Sequence, residues 1–178
     1  MASTYNKAGF YLNIATISLA LYALYTNIHN MWIVAPPNYI LLILSSAAFV
    51  MAVKGLKDKR NWLIITRSWF TLITSAVTTT LLALLVLLTL MLYSINAHRF
   101  LESTESPNGS YTVDFYLFDA GAAGTFGIWG ELNGPLWFKK KVYYEKRTME
   151  AIYEWKDDST ITINGRTLNL KLGETYGY

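Results

Sequence analysis

His29 and His98 are the only histidines in a chain of 178 residues that has no cysteine. A catalytic zinc takes three protein ligands and a structural zinc four, and the loop around His29 offers no acidic residue to complete such a set. Without cysteine there is no thiolate metal site, iron–sulfur cluster, disulfide, thiol nucleophile or lipid-modified N-terminal cysteine. A Ser-His-Asp triad would have to recruit one of the two histidines, and no nucleophile-elbow pattern occurs. The stretch Asp119-Ala120-Gly121-Ala122-Ala123-Gly124-Thr125-Phe126-Gly127 is rich in small residues. It lacks the Gly-Lys-Ser/Thr ending of a phosphate loop and no helical pattern follows, so it reads as a flexible hairpin loop or bulge. Its small residues would let the backbone approach a partner. Asp114, Glu131, Glu150, Glu154, Asp157 and Asp158 are spaced as strand edges and turns, not as an acid–base pair across a cleft. Asn108-Gly109-Ser110 matches an N-glycosylation acceptor, a pattern common by chance. No catalytic, metal or cofactor-binding site is expected, and the chain reads as a non-enzyme.

The elements that would position any such residues follow from where charges are missing. Hydrophobic residues make up 53% of the chain and charged residues 15%, whereas soluble domains sit near a quarter charged. No Asp, Glu, Lys or Arg lies between Lys7 and Lys54, or between Arg67 and Arg99. Charges at the bilayer centre cost several kcal/mol, so gaps of this length predict membrane spans of roughly 20 residues. Three transmembrane helices are expected, at about 8–28, 38–54 and 70–95, within a membrane region of residues 1–97. Pro36 and Pro37 break the chain between the first two. The first segment reads as a retained span, because its apolar run exceeds a signal-peptide core and no small-residue cleavage site follows. Trp62–Phe70 reads as an interfacial stretch or as the lead into the third helix.

Lys54, Lys57, Lys59, Arg60 and Arg67 surround the second connection against Asp58 alone, while the loop His29–Pro37 has no lysine or arginine. The positive-inside rule then puts the N-terminus in the cytoplasm and residues 98–178 outside. Residues 1–97 hold six basic and one acidic residue, +5, and residues 98–178 hold nine basic and eleven acidic, −2, which together give the net +3. The basic excess is thus an orientation signal, and no nucleic-acid partner is expected. The membrane helices carry no acid or base to line an ion path; Ser45, Ala48, Ala52 and Thr78 are instead candidates for close helix packing.

After Asn96 the pattern turns to strands. His98–Asn108 reads as a polar stalk ending in the turn Ser106-Pro107-Asn108-Gly109. Strands are expected at Tyr111–Phe118, Phe126–Leu132, Leu136–Glu145, Ala151–Trp155, Thr160–Ile163 and Arg166–Leu172, the last two joined by an Asn164-Gly165 hairpin turn. The fold class is therefore α+β: three transmembrane helices followed by a small antiparallel extracytoplasmic β domain of five or six strands. A single sheet leaves one face uncovered, so it must curl on itself, pack on the membrane or meet a partner.

Several segments in this region, taken in order, resemble a known family. They are Ser106-Pro107-Asn108-Gly109-Ser110-Tyr111-Thr112-Val113, the Gly-Ala-rich stretch before Gly130-Glu131-Leu132, Lys139-Lys140-Lys141-Val142-Tyr143-Tyr144, and Trp155-Lys156-Asp157-Asp158-Ser159-Thr160-Ile161-Thr162-Ile163-Asn164-Gly165-Arg166-Thr167-Leu168. Roughly the last 70 residues of the chain resemble a domain of unknown function in small membrane-anchored and lipoprotein-like proteins of Firmicutes. The resemblance implies a bacterial envelope setting and a small β domain, and no activity. The expected role is a multi-pass cell-membrane protein that presents its β domain to a protein partner, with immunity to a secreted toxin as one version. Gly121, Gly124, Phe126, Trp129, Trp137, Lys139, Lys140 and Lys141 are the candidate contact residues. The alternative is an accessory subunit of a transport, secretion or wall-assembly complex that uses its helices. Besides the bilayer, a protein partner or a second copy is expected.

Overall fold

A computed structural model of the chain describes residues 2–94, 97–119, 121 and 124–178. It divides into two compact units. The first comprises Met1–Tyr25 and Ala35–Thr89, the second Thr26–Val34 and Leu90–Tyr178.

Three helices appear: α1 (Ala2–Ile28), α2 (Asn38–Gly55) and α3 (Trp62–Ser94), each long and apolar enough to cross a membrane. Two begin earlier than the charge pattern predicts. α1 starts at Ala2, since Lys7 limits burial in lipid but does not break a helix. α3 starts at Trp62, because the Asn61 side chain accepts a hydrogen bond from the Ile64 amide at 3.0 Å, an N-cap that sets the first turn. The stretch Trp62–Phe70 is thus helical and is the first part of α3. The expected end of the third helix at residue 95 lies outside the described residues.

In the first unit the buried side chains are mostly small or polar: Asn6, Asn13, Thr16, Ser45, Ala48, Ala52, Ser68, Thr71 and Ser75. Such small residues let the helix backbones approach closely, and the polar ones bond across helices. A Cβ on Gly9 would lie 2.9 Å from Met51 Cβ, so α1 and α2 touch there with no room for a side chain.

The second unit is a sandwich of two antiparallel sheets. β1 (His98–Glu105), β2 (Thr112–Asp119), β3 (Phe126–Asn133) and β4 (Lys139–Lys146) form one, in that order. β5 (Tyr153–Trp155), β6 (Thr160–Ile163) and β7 (Arg166–Asn169) form the other. Seven strands stand where five or six were expected, and the added one is β1, in the segment read as a polar stalk. β1 pairs only with β2, and its register shifts between Phe100 and Glu102. Charges on an exposed edge and the extra residue Leu101 together hide the alternation that marks a strand. The uncovered face of the larger sheet is met by the smaller one. Val113, Phe115, Ile128, Leu132, Val142 and Tyr143 pack against Ile161, Ile163, Leu168 and Leu170.

A second bulge, where Gly130 pairs with Tyr143 but Glu131 pairs with Lys141, turns both Val142 and Tyr143 into this core. Asn164 and Gly165 have φ of 48° and 79°, the tight turn their pairing predicts. The last expected strand stops at Asn169. The Asn169 side chain accepts from the Leu172 amide at 3.1 Å and starts a 3-10 turn, which leaves Leu172 75% exposed instead of on the Leu168 and Leu170 face.

Candidate functional site

Strand alternation gives the four-stranded sheet a second face, pointing away from the core. Thr112, Asp114, Tyr116 and Phe118 occupy it on β2, Trp129, Glu131 and Asn133 on β3, and Lys139, Lys141 and Tyr144 on β4. Cross-strand pairing decides which of them meet. Tyr116 pairs with Trp129, and their rings stack at 5.1 Å. Phe118 and Tyr144 stack at 5.1 Å, and Tyr178 continues the row at 5.7 Å from Tyr144. Phe100 meets Tyr116 edge to face at 5.6 Å, and His98 meets Trp129 at 4.9 Å. Such pairs add about 0.5–1.5 kcal/mol beyond their burial.

A charged cluster interrupts the aromatic row. Lys139 Nζ donates to Tyr116 Oη and to Glu131 Oε2, each at 3.2 Å, and stands 3.8 Å from Asp114 Oδ2. Asp114 also accepts from Ser103 Oγ at 2.7 Å and from Asn133 Nδ2 at 2.8 Å. Trp129 Nε1 donates to Glu131 Oε1 at 3.3 Å. Burial pulls the Lys139 ammonium down, but its hydrogen bond to Tyr116 and the Glu131 charge outweigh that and hold it above the usual lysine range. Burial likewise raises the Tyr116 phenol, against the pull of Lys139. Burial lowers the His98 imidazole and the Lys141 charge adds to this, with Glu131 opposing. Both carboxylates already serve Lys139. Among the described residues no group of three His, Asp or Glu side chains is placed to hold a metal.

The contact residues expected from sequence divide among four places, with Lys140 on the Leu132 side of β4. Trp129, Lys139 and Lys141 lie on this face. Lys141 Nζ donates to Asn27 Oδ1 at 2.9 Å, while Lys140 Nζ reaches the Gly173 carbonyl at 3.0 Å. Gly121 and Gly124 are exposed in the β2–β3 loop and Phe126 opens β3, half-buried. Ala120, Ala122 and Ala123 of that loop lie outside the described residues. Trp137 sits in the β3–β4 loop, at the opposite end of the sheet, with its indole donating to the Val34 carbonyl at 3.0 Å. The structure thus does not bring the glycine-rich loop and Trp137 together. Tyr116, Phe118, Asp114 and Glu131 were not picked out as site residues. Their alternation on β2 and β3 was visible, but the register that joins them was not.

Ser45, Ala48 and Ala52 are buried within the first unit, and Thr78 is half-buried. The Ser45 and Thr79 hydroxyls share a hydrogen bond of 2.7 Å, and Asn13 Nδ2 donates to Thr74 Oγ1 at 2.7 Å. The Asn6 amide bonds Ser68 and the Ile64 carbonyl, and its oxygen accepts from Arg67. The sequence marks Arg67 only as the edge of a charge-free gap and does not mark Asn6, so their meeting in this seam depends on packing.

Three helices long and apolar enough to cross a membrane, followed in the chain by a small antiparallel sandwich, define an α+β class. The region 65–178, which takes in most of α3 and all seven strands, matches the family of unknown function DUF5412, and the chain belongs to that family. No curated protein and no solved structure matches the chain.

Proposed function

We propose that this chain is a multi-pass protein of a bacterial cytoplasmic membrane whose β sandwich is an extracytoplasmic binding module for a protein partner. The observation that carries the reading is the face built on Tyr116, Trp129 and Lys139. It presents half-exposed Trp and Tyr rings, residue types enriched at protein interfaces, around a Lys139 ammonium held between Asp114 and Glu131. The carboxylates on this face are taken up by Lys139, Ser103 and Asn133, which favours binding over catalysis. Burial of Ser45, Ala48 and Ala52 inside the helical unit weighs against the accessory-subunit reading, since that small face is already occupied. The charge asymmetry about Lys54–Arg67 supports a cytoplasmic N-terminus.

In-cell photo-crosslinking tests this. Phe100 is exposed at the edge of the aromatic row, and Ile73 is exposed on α3. A single abundant protein captured at Phe100 and not at Ile73 is expected. Capture only at Ile73 would replace the binding-module reading with the complex-subunit one.

A further inference from the structure

Two loops of the second unit meet at one end of the four-stranded sheet. The α1–α2 loop exposes Met31, Trp32 and Val34, and the β3–β4 loop exposes Leu136 and Trp137. They form one patch. The Ile33 amide donates to the Lys139 carbonyl at 2.8 Å, the Trp137 indole donates to Val34, and a Cβ on Gly134 would come within 2.8 Å of the Trp32 ring. Leu136 is 82% exposed and has a φ of 60°, a left-handed turn position where glycine or asparagine ordinarily sits. It lies outside the core cluster. Neither the turn nor the core therefore accounts for a leucine there.

The composition accounts for it. Trp, Leu and Met bordered by lysines is what a membrane–water interface selects. Lys140 and Lys141 border the patch. Among the described residues neither forms an ion pair, so their charges are left for anionic headgroups. Chain continuity points to the same occupant. Met31 follows shortly after α1 ends at Ile28, and Val34 shortly precedes α2 at Asn38. A short connection between two spans has to lie at the bilayer surface, and the β3–β4 loop is hydrogen-bonded to it.

The geometry points to Met31, Trp32, Val34, Leu136 and Trp137 as a single lipid-inserting patch, which seats the β sandwich on the outer leaflet. This rests on the membrane reading above. The chain has no native cysteine, so single-cysteine variants of the full protein carry a spin label at one defined position. The label would be placed at Leu136→Cys, at Leu87→Cys on the exposed side of α3, and at Asp158→Cys in the exposed β5–β6 turn. Nanodiscs of phosphatidylcholine and phosphatidylglycerol holding one copy would be probed by power saturation with oxygen and a water-soluble nickel chelate. Position 136 is expected to favour oxygen at a depth just below the headgroups, shallower than position 87, with position 158 favouring the chelate. Val34→Cys carries the same expectation as position 136, so a tip distorted by its label does not decide the matter. Positions 136 and 34 reading as aqueous, with position 87 in lipid, would overturn the patch and leave the membrane reading standing. Position 87 reading as aqueous would remove that reading and the patch with it. Shielding of positions 136 and 34 from both reagents would mean that protein covers the patch, and would also overturn the proposal.

Discussion

At the scale of residues, the outer sheet face is governed by two partly buried cations or near-cations. His98 packs on Trp129 and is held below its ordinary value of 6.5 by burial and by Lys141. A lowered histidine pKa means that the folded state favours the neutral ring. Its contribution is complete above the unfolded value and is lost as pH falls below it toward the folded one. His98→Phe should therefore flatten the part of the stability profile between about pH 7 and pH 5, as read by thermal melts. By NMR titration, Lys141→Ala should raise the His98 pKa and Glu131→Gln should lower it further, and shifts of the opposite sign would refute the stated causes. Lys139 bridges two carboxylates whose side chains are mostly buried. Lys139→Met leaves Asp114 and Glu131 side by side, and should cost on the order of 1 kcal/mol because the lysine itself is partly solvated. An unchanged melting midpoint would show that water already screens the cluster.

The same balance of clear and hidden information holds at the scale of elements. Where a helix or turn depends on a single residue pattern, the sequence reveals it. The Asn164-Gly165 hairpin, the break at Pro36-Pro37 and the three apolar helices were legible for that reason. Where an element depends on its neighbours, the sequence is silent. β1 was hidden because an edge strand with a bulge at Leu101 shows no alternation, and the meeting of Tyr116, Trp129 and Lys139 was hidden because it depends on register. The division into two sheets also arises only from packing. Gly127 illustrates the dependence. A Cβ there would stand 2.1 Å from the Glu145 carbonyl and 2.7 Å from the Phe118 ring. Gly127→Ala has to push β4 away from β3 or displace Phe118, and should cost about 3 kcal/mol or more. Hydrogen exchange should then accelerate along β3 and β4 and much less along β6 and β7. Uniform acceleration would mean that the two sheets unfold as one.

At the scale of the molecule, the proposed orientation rests on the loop between α2 and α3. Arg60 forms a two-pronged pair with Asp58, at 2.7 and 2.8 Å, which holds the Asp58 carboxyl below its usual range. Arg60 is thus held in place by Asp58, and Lys57 and Lys59 are the other basic residues at the loop's centre. Lys57→Glu/Lys59→Glu should mix or invert the topology. Protease accessibility of residues 98–178 in spheroplasts measures this, and full outside exposure in the double variant would contradict the charge argument. The contact between Ile33 and Lys139 also has a consequence for the order of assembly. Ribosomal synthesis delivers the α1–α2 loop long before β4 exists, and closing such a distant pair costs entropy that grows only with the logarithm of the intervening length. The loop thus exists before β4 and meets it at Lys139, while further along the strand its pairing with Tyr176 has to wait for the last residues of the chain.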